Sequence, residues 1–143
     1  MIADKGGDPL RISAFYPVEK EVGWRLRDTH EKPNWAPDGK NTVNGMFING
    51  KFSKQCFDFL RYAKINAVKD GEVAPCFETQ SKNLPVCIFT HGIRGHRNIA
   101  SGFCRELASQ GIAVFSLEHN DGTSACRFDE KELKMIEYSA EDM

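Results

Sequence analysis

The stretch that decides the fold runs Val86-Cys87-Ile88-Phe89-Thr90-His91-Gly92-Ile93. Its first four residues are all apolar, which is typical of a strand buried on both faces in a parallel sheet. A polar loop with two glycines, Gly92 and Gly95, follows this apolar run. We therefore predict a buried strand that begins near Leu84 and ends in a turn at residues 90–98.

The residues after this turn predict a helix and then a second strand. Apolar side chains recur there at helical spacing, at Ile99, Phe103, Cys104, Leu107 and Ala108. Gly111 stands where a left-handed cap would end the helix. Residues 112–117 are again mostly apolar, which predicts another strand covered on both faces. Residues 84–125 thus form a β-loop-α-β unit, and such units bind ligands beyond the carboxyl ends of their strands.

The rest of the chain predicts less regular structure. Residues 10–16 alternate between apolar and other side chains and end at Pro17, which predicts a strand. Residues 18–50 are rich in charged and turn residues and predict a long loop. Helical spacing predicts a helix over residues 52–68 and an amphipathic helix over residues 128–138. We therefore interpret residues 18–83 as an insertion of loop and helix.

The composition excludes some classes of function. The net charge of −1 gives no reason to expect nucleic acid or an acidic membrane surface as a partner. The five cysteines are scattered without a C-x-x-C pair, so we expect free thiols, no metal and no other cofactor. Residues 1–8 lack the apolar segment of a signal peptide, and no apolar run is long enough to span a bilayer. This pattern favours the cytoplasm, and secretion stays open if the N-terminus is incomplete.

The turn after the first buried strand has two functional interpretations. A dinucleotide fingerprint would need G-x-G-x-x-G, but Arg94 stands two residues after Gly92, and there is no G-K-[ST] for a P-loop. The other interpretation is an oxyanion turn, in which backbone N–H groups stabilise the charge that develops on an attacked carbonyl. A His-Gly pair directly after a buried strand, as at His91 and Gly92, is typical of α/β-hydrolases. A plain strand-to-helix turn is the alternative from context alone.

A resemblance favours the oxyanion interpretation. The runs 84–93 (LPVCIFTHGI), 106–111 (ELASQG) and 118–125 (EHNDGTSA), together with Arg97 and Val114, resemble the platelet-activating-factor acetylhydrolase family. Residues 12–17 (ISAFYP) resemble an early strand of the same family more loosely. The fold that the resemblance implies is the N-terminal part of an α/β-hydrolase. It would have an incomplete, mostly parallel sheet with flanking helices.

The resemblance also implies an activity and a site. It implies a calcium-independent serine esterase that removes an acetyl or short acyl group from the sn-2 position of a glycerophosphocholine. Phospholipid would then be the substrate, and the whole protein would contact a membrane or lipoprotein surface. Ile93, where the family has leucine, falls on the backbone oxyanion donor, and His91 and Gly92 frame that turn. Arg94 departs from the family's glycine, which would strain the turn if the residue needs a positive φ unless Gly95 takes over the bend.

The nucleophile of this fold lies in a G-x-S-x-G elbow, and this chain has none. Ser101, Ser109 and Ser124 each lack one or both flanking glycines. Because the triad follows the order Ser, Asp, His, we expect all three members beyond Met143. On that order His96 and His119 are loop residues with local hydrogen bonds, and Asp121 is a turn former. A sheet cut at this point would leave the strand at 112–117 as an apolar edge.

Three interpretations stay open from the sequence. The chain is the front of an esterase, inactive as it stands, or a non-catalytic α/β-hydrolase relative that binds lipid or acts as a scaffold. The third is another α/β-hydrolase that shares the turn, of the dienelactone-hydrolase or carboxylesterase kind. A G-x-S-x-G elbow downstream of Met143 would favour the first over the second.

Overall fold

The computed structural model describes residues 10–18, 31–47, 54–75, 84–129 and 134–137. These residues form a small α/β arrangement with two sheets. The elements are strand β1 (Ile12–Phe15), helix α1 (Lys40–Phe47), a 3₁₀ helix (Lys54–Tyr62), strand β2 (Val86–Thr90), helix α2 (Ser101–Ser109), and strands β3 (Ala113–Leu117), β4 (Cys126–Asp129) and β5 (Lys134–Glu137).

The main sheet has the order β1-β3-β2 and is mixed. Strands β2 and β3 are parallel, with Thr90 opposite Leu117, whereas β1 is antiparallel to β3, with Ile12 opposite Leu117. The prediction of a mostly parallel sheet is therefore too simple, because β1 adds an antiparallel partner. The prediction that residues 112–117 form an edge is wrong, because β1 and β2 cover both sides of β3.

The sheet buries one face, not two. Val114 and Ser116 of β3 are fully buried, and α2 packs over them with Cys104 and Ala108. On the opposite face Ile88 is 66% exposed. The prediction that β2 and β3 are covered on both faces is thus wrong for the described residues, where a helix layer lies on one side only. The apolar residues of the outer face are Ile12, Ala14, Val86, Ile88, Ala113, Phe115 and Leu117.

Helix α2 follows the predicted periodicity. It begins at Ser101 and buries Ser101, Cys104 and Ala108, which are spaced three and four residues apart on one side. Gly111 has a φ of 88°, a left-handed conformation that glycine adopts without the clash of a side chain. The predicted helix end is confirmed.

Helix α1 lies where the sequence predicts a loop. Its residues include two asparagines and a glycine, which are weak helix formers. Tertiary packing overrides that weakness, because Val43 is 1% exposed and a Cβ at Gly45 would lie only 1.5 Å from the carbonyl oxygen of Ala125. Residues 19–30 and 48–50 of the predicted loop lie outside the described residues.

The helix predicted over residues 52–68 is shorter and of another type. The described part is a 3₁₀ helix that ends at Tyr62. The chain then pairs with residues 33–35, since Trp35 donates to the carbonyl of Ala63 and Ile65 donates to the carbonyl of Pro33, both at 2.8 Å. These backbone bonds to a distant segment replace the helical ones. Phe52 lies outside the described residues.

The helix predicted over residues 128–138 is wrong. Strands β4 and β5 pair antiparallel there, with Cys126 opposite Glu137 and Asp129 opposite Lys134. The predicted helix rested on a few apolar positions at helical spacing, and pairing between the two segments overrides that short pattern. Residues 130–133 lie outside the described part.

Four of the five cysteines lie in described segments. Cys56, Cys87, Cys104 and Cys126 are free thiols, and burial raises the pKa of Cys126 to about 12. Cys76 lies outside the described residues. Over the described ranges, no helix has the length and apolar character needed to cross a bilayer.

Candidate active site

The parallel pairing of β2 and β3 brings two loops together at the carboxyl ends of these strands. The loop after β2 contains His91 to Asn98, and the loop after β3 contains Glu118 to Ala125. Two backbone hydrogen bonds of 2.7 Å join the loops, from Arg94 N to Thr123 O and from Ala125 N to Gly95 O. The residues singled out in the two loops therefore belong to one site.

The oxyanion turn, which we define as residues 91–95, is a tight β-turn. Gly95 N donates to Gly92 O across 2.9 Å, so Ile93 and Arg94 form its two corners. Arg94 has a φ of 60°, a left-handed conformation that the third residue of a type II turn requires and that glycine usually provides. Gly95 has no positive φ, so it has not taken over the bend from Arg94.

Ile93 presents an open backbone donor. Its residue surface is 67% exposed. Within the part of the chain that the structure describes, the Ile93 N–H makes no hydrogen bond. The neighbouring N–H groups of Arg94 and Gly95 are both used inside the protein. Of the three consecutive N–H groups of residues 93–95, that of Ile93 is thus the one without a hydrogen bond in the described part of the chain.

His91 is buried directly behind the turn, with 5% of its surface exposed. Its Nδ1 lies 2.9 Å from Gly92 O, and its Nε2 lies 3.2 Å from the amide N of His119 and 3.3 Å from Glu118 Oε1. Burial acts to lower the pKa of His91, but the bonds to Glu118 and to the Gly92 carbonyl outweigh it and raise that pKa above its usual 6.5. His91 thus supports the turn and does not face solvent as a base would.

Glu118 and Arg97 are site residues that the sequence did not single out as functional. Glu118 is 5% exposed, and its Oε2 accepts hydrogen bonds from Arg97 N (3.2 Å) and Arg97 Nη1 (3.0 Å). Burial acts to raise the pKa of Glu118, but bonds with His91 and Arg97 lower it below its usual value. The sequence signal that was available for Glu118 is its place directly after a buried strand. In a sequence, however, an acid at that place suggests that it binds a ribose.

His119 lies in a local hydrogen-bond network, not in a triad. Its Nε2 lies 2.9 Å from Thr90 Oγ1, and its Nδ1 lies 2.9 Å from Thr123 Oγ1. Thr123 donates in turn to Asp121 Oδ1 through its hydroxyl (2.6 Å) and its amide (2.9 Å). These bonds to Thr123 lower the pKa of Asp121 and make that residue a turn former.

His96 is a loop residue with a local hydrogen bond, as predicted, and its side chain is buried in the core. It is 1% exposed, and its ring meets the Trp35 ring edge to face at a centroid distance of 4.6 Å. Its Nδ1 accepts the Asn98 N–H at 3.2 Å, whereas no partner lies at Nε2 among the described residues. Burial lowers the pKa of His96 to about 4, so the ring is neutral at pH 7.

The serines of the described segments hydrogen-bond elsewhere. Ser109 donates to Glu106 O (2.7 Å), Ser116 to Arg97 O (2.5 Å) and Ser124 to Cys126 O (2.6 Å). In these segments no serine hydroxyl is hydrogen-bonded to a histidine ring, and no three His, Cys, Asp or Glu side chains are grouped as metal ligands. The described part of the site thus holds a tight turn with an unbonded N–H at Ile93, and no serine–histidine pair lies beside it.

Comparison with known proteins identifies the family. An α/β chain with an open backbone donor after a strand fits an acyl-transfer enzyme, and a sequence model of the family described as "Platelet-activating factor acetylhydrolase, isoform II" matches residues 1–139. This chain belongs to that family.

Two relatives carry the same name. The chain is 32% identical to the platelet-activating factor acetylhydrolase of Gallus gallus over 111 residues, which is 71% of this chain and 24% of the relative. It is 34% identical to the Bos taurus protein of that name over 56 residues, which is 39% of this chain and 13% of the relative. The chain thus spans about a quarter or less of the length of these two relatives.

Proposed function

We propose that this chain supplies the oxyanion turn of a serine esterase. The esterase hydrolyses the sn-2 acetyl or short acyl ester of platelet-activating factor and related glycerophosphocholines. The observation that carries the proposal is the Ile93 N–H, which has no hydrogen bond among the described residues, while the next two donors, Arg94 N–H and Gly95 N–H, are both used. Membership of the family and the names of the relatives support the substrate class.

The proposed role follows from the chemistry of ester hydrolysis. A general base takes the proton of a serine hydroxyl, the serine oxygen attacks the sn-2 carbonyl carbon, and the carbonyl oxygen becomes negatively charged. The Ile93 N–H donates to that oxygen and stabilises the charge without having to reorganise. The C–O bond to the glycerol then breaks, the leaving oxygen takes a proton, and water later releases the acyl group from the serine.

The nucleophile, acid and base of the proposed enzyme lie outside residues 1–143. No serine of this chain has the G-x-S-x-G context, and the triad order places all three members after the β-loop-α-β unit. We extend the proposal to a lipid-facing surface in the longer protein, where a phospholipid would enter from a membrane or lipoprotein.

The test compares this chain with a longer protein that adds the downstream sequence. The longer protein should hydrolyse a 2-acetyl glycerophosphocholine faster than its 2-palmitoyl counterpart and should react with a fluorophosphonate probe. The 143-residue chain should do neither. Labelling of this chain that disappears on substituting Ser109 or Ser124 would overturn the placement of the nucleophile. A longer protein that binds lipid without hydrolysis would favour the non-catalytic alternative.

A further inference from the structure

Glu118 connects His91, the first residue of the oxyanion turn, with Arg97, two residues beyond the end of the turn. Its carboxylate lies at the carboxyl end of β3 and is almost fully buried. One oxygen, Oε2, binds the backbone and the guanidinium of Arg97, which follows the turn. The other oxygen, Oε1, lies 3.3 Å from His91 Nε2, where the turn begins. One side chain therefore contacts a residue before Ile93 and a residue after it in the chain.

The contact of Glu118 with His91 is unusual because His91 Nε2 has two possible hydrogen-bond partners, the His119 N–H and Glu118 Oε1. A neutral His91 that donates Nδ1–H to Gly92 O accepts the His119 N–H at Nε2, across 3.2 Å. In that state Glu118 Oε1 is buried without a hydrogen-bond partner among the described residues. A protonated His91 donates to Glu118 Oε1 and gives up the His119 N–H. A buried carboxylate oxygen without a donor is unfavourable, so packing alone does not explain its position.

Several charged and titratable groups interact with this ring. Glu118, Asp121 and His119 come from the loop after β3, and the two histidine rings are 4.0 Å apart. From the loop after β2, His96 interacts electrostatically with His91 and Glu118, and Arg97 interacts with Glu118. The nearby carboxylates hold the pKa of His91 above its ordinary value despite burial.

We propose that Glu118 is a positioning residue for the oxyanion donor. It holds His91 and Arg97 at a fixed separation, and the residues between them carry the Ile93 N–H into place. This inference rests on the proposed function of Ile93. Glu118 does not touch the substrate, and it acts through the geometry of the turn. A misplacement of about 1 Å in a reacting group is enough to slow turnover by about 10²-fold.

A double-mutant cycle in the longer hydrolase tests this role. The first change is Glu118→Gln, which keeps the size and removes the charge. The second is an amide-to-ester replacement at Ile93, which removes its N–H. Glu106→Gln is the matched control, because Glu106 is an exposed glutamate on α2. We expect E118Q to lower kcat by about 10- to 100-fold with KM within about twofold, and E106Q to leave kcat unchanged.

The combination of the two changes decides between positioning and a merely structural role. If Glu118 acts by placing the donor, E118Q should slow the Ile93 ester variant by no more than about a further threefold, because that variant has no donor to place. Glu118→Asp should give an intermediate kcat, and it supplies the same cycle if E118Q does not fold. The pKa of His91, followed by NMR, should fall in E118Q because the facing charge is gone.

The outcomes separate this inference from the proposed function. If the Ile93 ester variant is slow, and E118Q or E118D slows it by the same factor as it slows the parent, the positioning role alone is overturned. An E118Q variant whose kcat equals that of E106Q also overturns the positioning role alone. If the Ile93 ester variant is as fast as the parent, the proposed function is contradicted and this inference is overturned with it.

Discussion

Arg94 donates its backbone N–H to the carbonyl oxygen of Thr123 across 2.7 Å, so the loop after β3 holds the turn after β2 in place. This bond uses the donor next to Ile93, whereas the Ile93 N–H has no hydrogen bond among the described residues. The arrangement also holds Arg94 at a φ of 60°, where a side chain is unfavourable.

Replacing Arg94 with glycine should relieve backbone strain. Arg94→Gly and Arg94→Ala both remove the side chain, but only glycine adopts a positive φ without a steric penalty. We expect the glycine variant to be more stable than the alanine variant by about 1 kcal/mol. Chemical denaturation of the two variants measures the difference. Equal stability would show that Arg94 is not held in the left-handed region.

Protonation of His96 should destabilise the fold in mild acid. Its pKa in the folded chain is about 4, whereas an unfolded histidine titrates near 6.5. The unfolded chain therefore binds the proton first, and stability is lost as the pH falls from about 6.5 to about 4. The loss should reach about 3 kcal/mol over that window.

The control for this prediction is His96→Gln, which removes the titrating ring. The raised pKa of His91 stabilises the folded state as the pH falls, which opposes the effect of His96. The quantity to measure is therefore the difference in the free energy of unfolding between parent and variant. Denaturation at several pH values should give a smaller acid loss in the variant. Parallel stability curves for parent and variant would contradict the burial of a neutral His96.

Two helical glycines should respond to alanine in opposite directions. A Cβ at Gly45 of α1 would lie 1.5 Å from Ala125 O, so Gly45→Ala should force α1 away from the loop that holds the site. A Cβ at Gly102 of α2 meets nothing within 4 Å, so Gly102→Ala should stabilise the helix by about 0.5–1 kcal/mol. Thermal unfolding distinguishes them. A harmless Gly45→Ala would show that α1 does not pack against Ala125.

The outer face of the main sheet should cause this chain to self-associate. Ile88 is 66% exposed, and Phe115 beside it is 39% exposed, which together form an apolar surface of the kind that drives association. Ile88→Lys should raise the monomer fraction in sedimentation experiments. Phe59→Lys is the matched control, because Phe59 is 65% exposed but lies on the 3₁₀ helix. An equal effect of both substitutions would place the association elsewhere.

The sequence predicted the β-loop-α-β unit well because its signals are local. Consecutive apolar residues, a helical stripe and Gly111 gave β2, α2 and β3 close to their observed bounds. The same signals failed where distant contacts decide, as in α1, whose Gly45 is explained only by Ala125. They also failed on burial, because the pattern of a strand does not tell whether one or two layers cover it.

The candidate site was predicted only in its backbone part. The position of Ile93 followed from the turn and from the family resemblance, without knowledge of any side-chain contact. The buried charges behind the turn were not predicted, because Glu118 is 21 residues from Arg97 and only the parallel pairing of β2 and β3 brings them together. Spacing along a chain carries no signal for such a contact.

The central claim is that the Ile93 N–H stabilises the oxyanion, and one substitution tests it most directly. In the longer hydrolase, an amide-to-ester replacement at Ile93 removes this hydrogen and keeps the side chain, whereas Ile93→Ala keeps the hydrogen and removes most of the side chain. We predict that the ester lowers kcat by about 10²–10³-fold and that Ile93→Ala stays within about tenfold of the parent. An ester variant that turns over as fast as the parent, or no slower than Ile93→Ala, would contradict the claim.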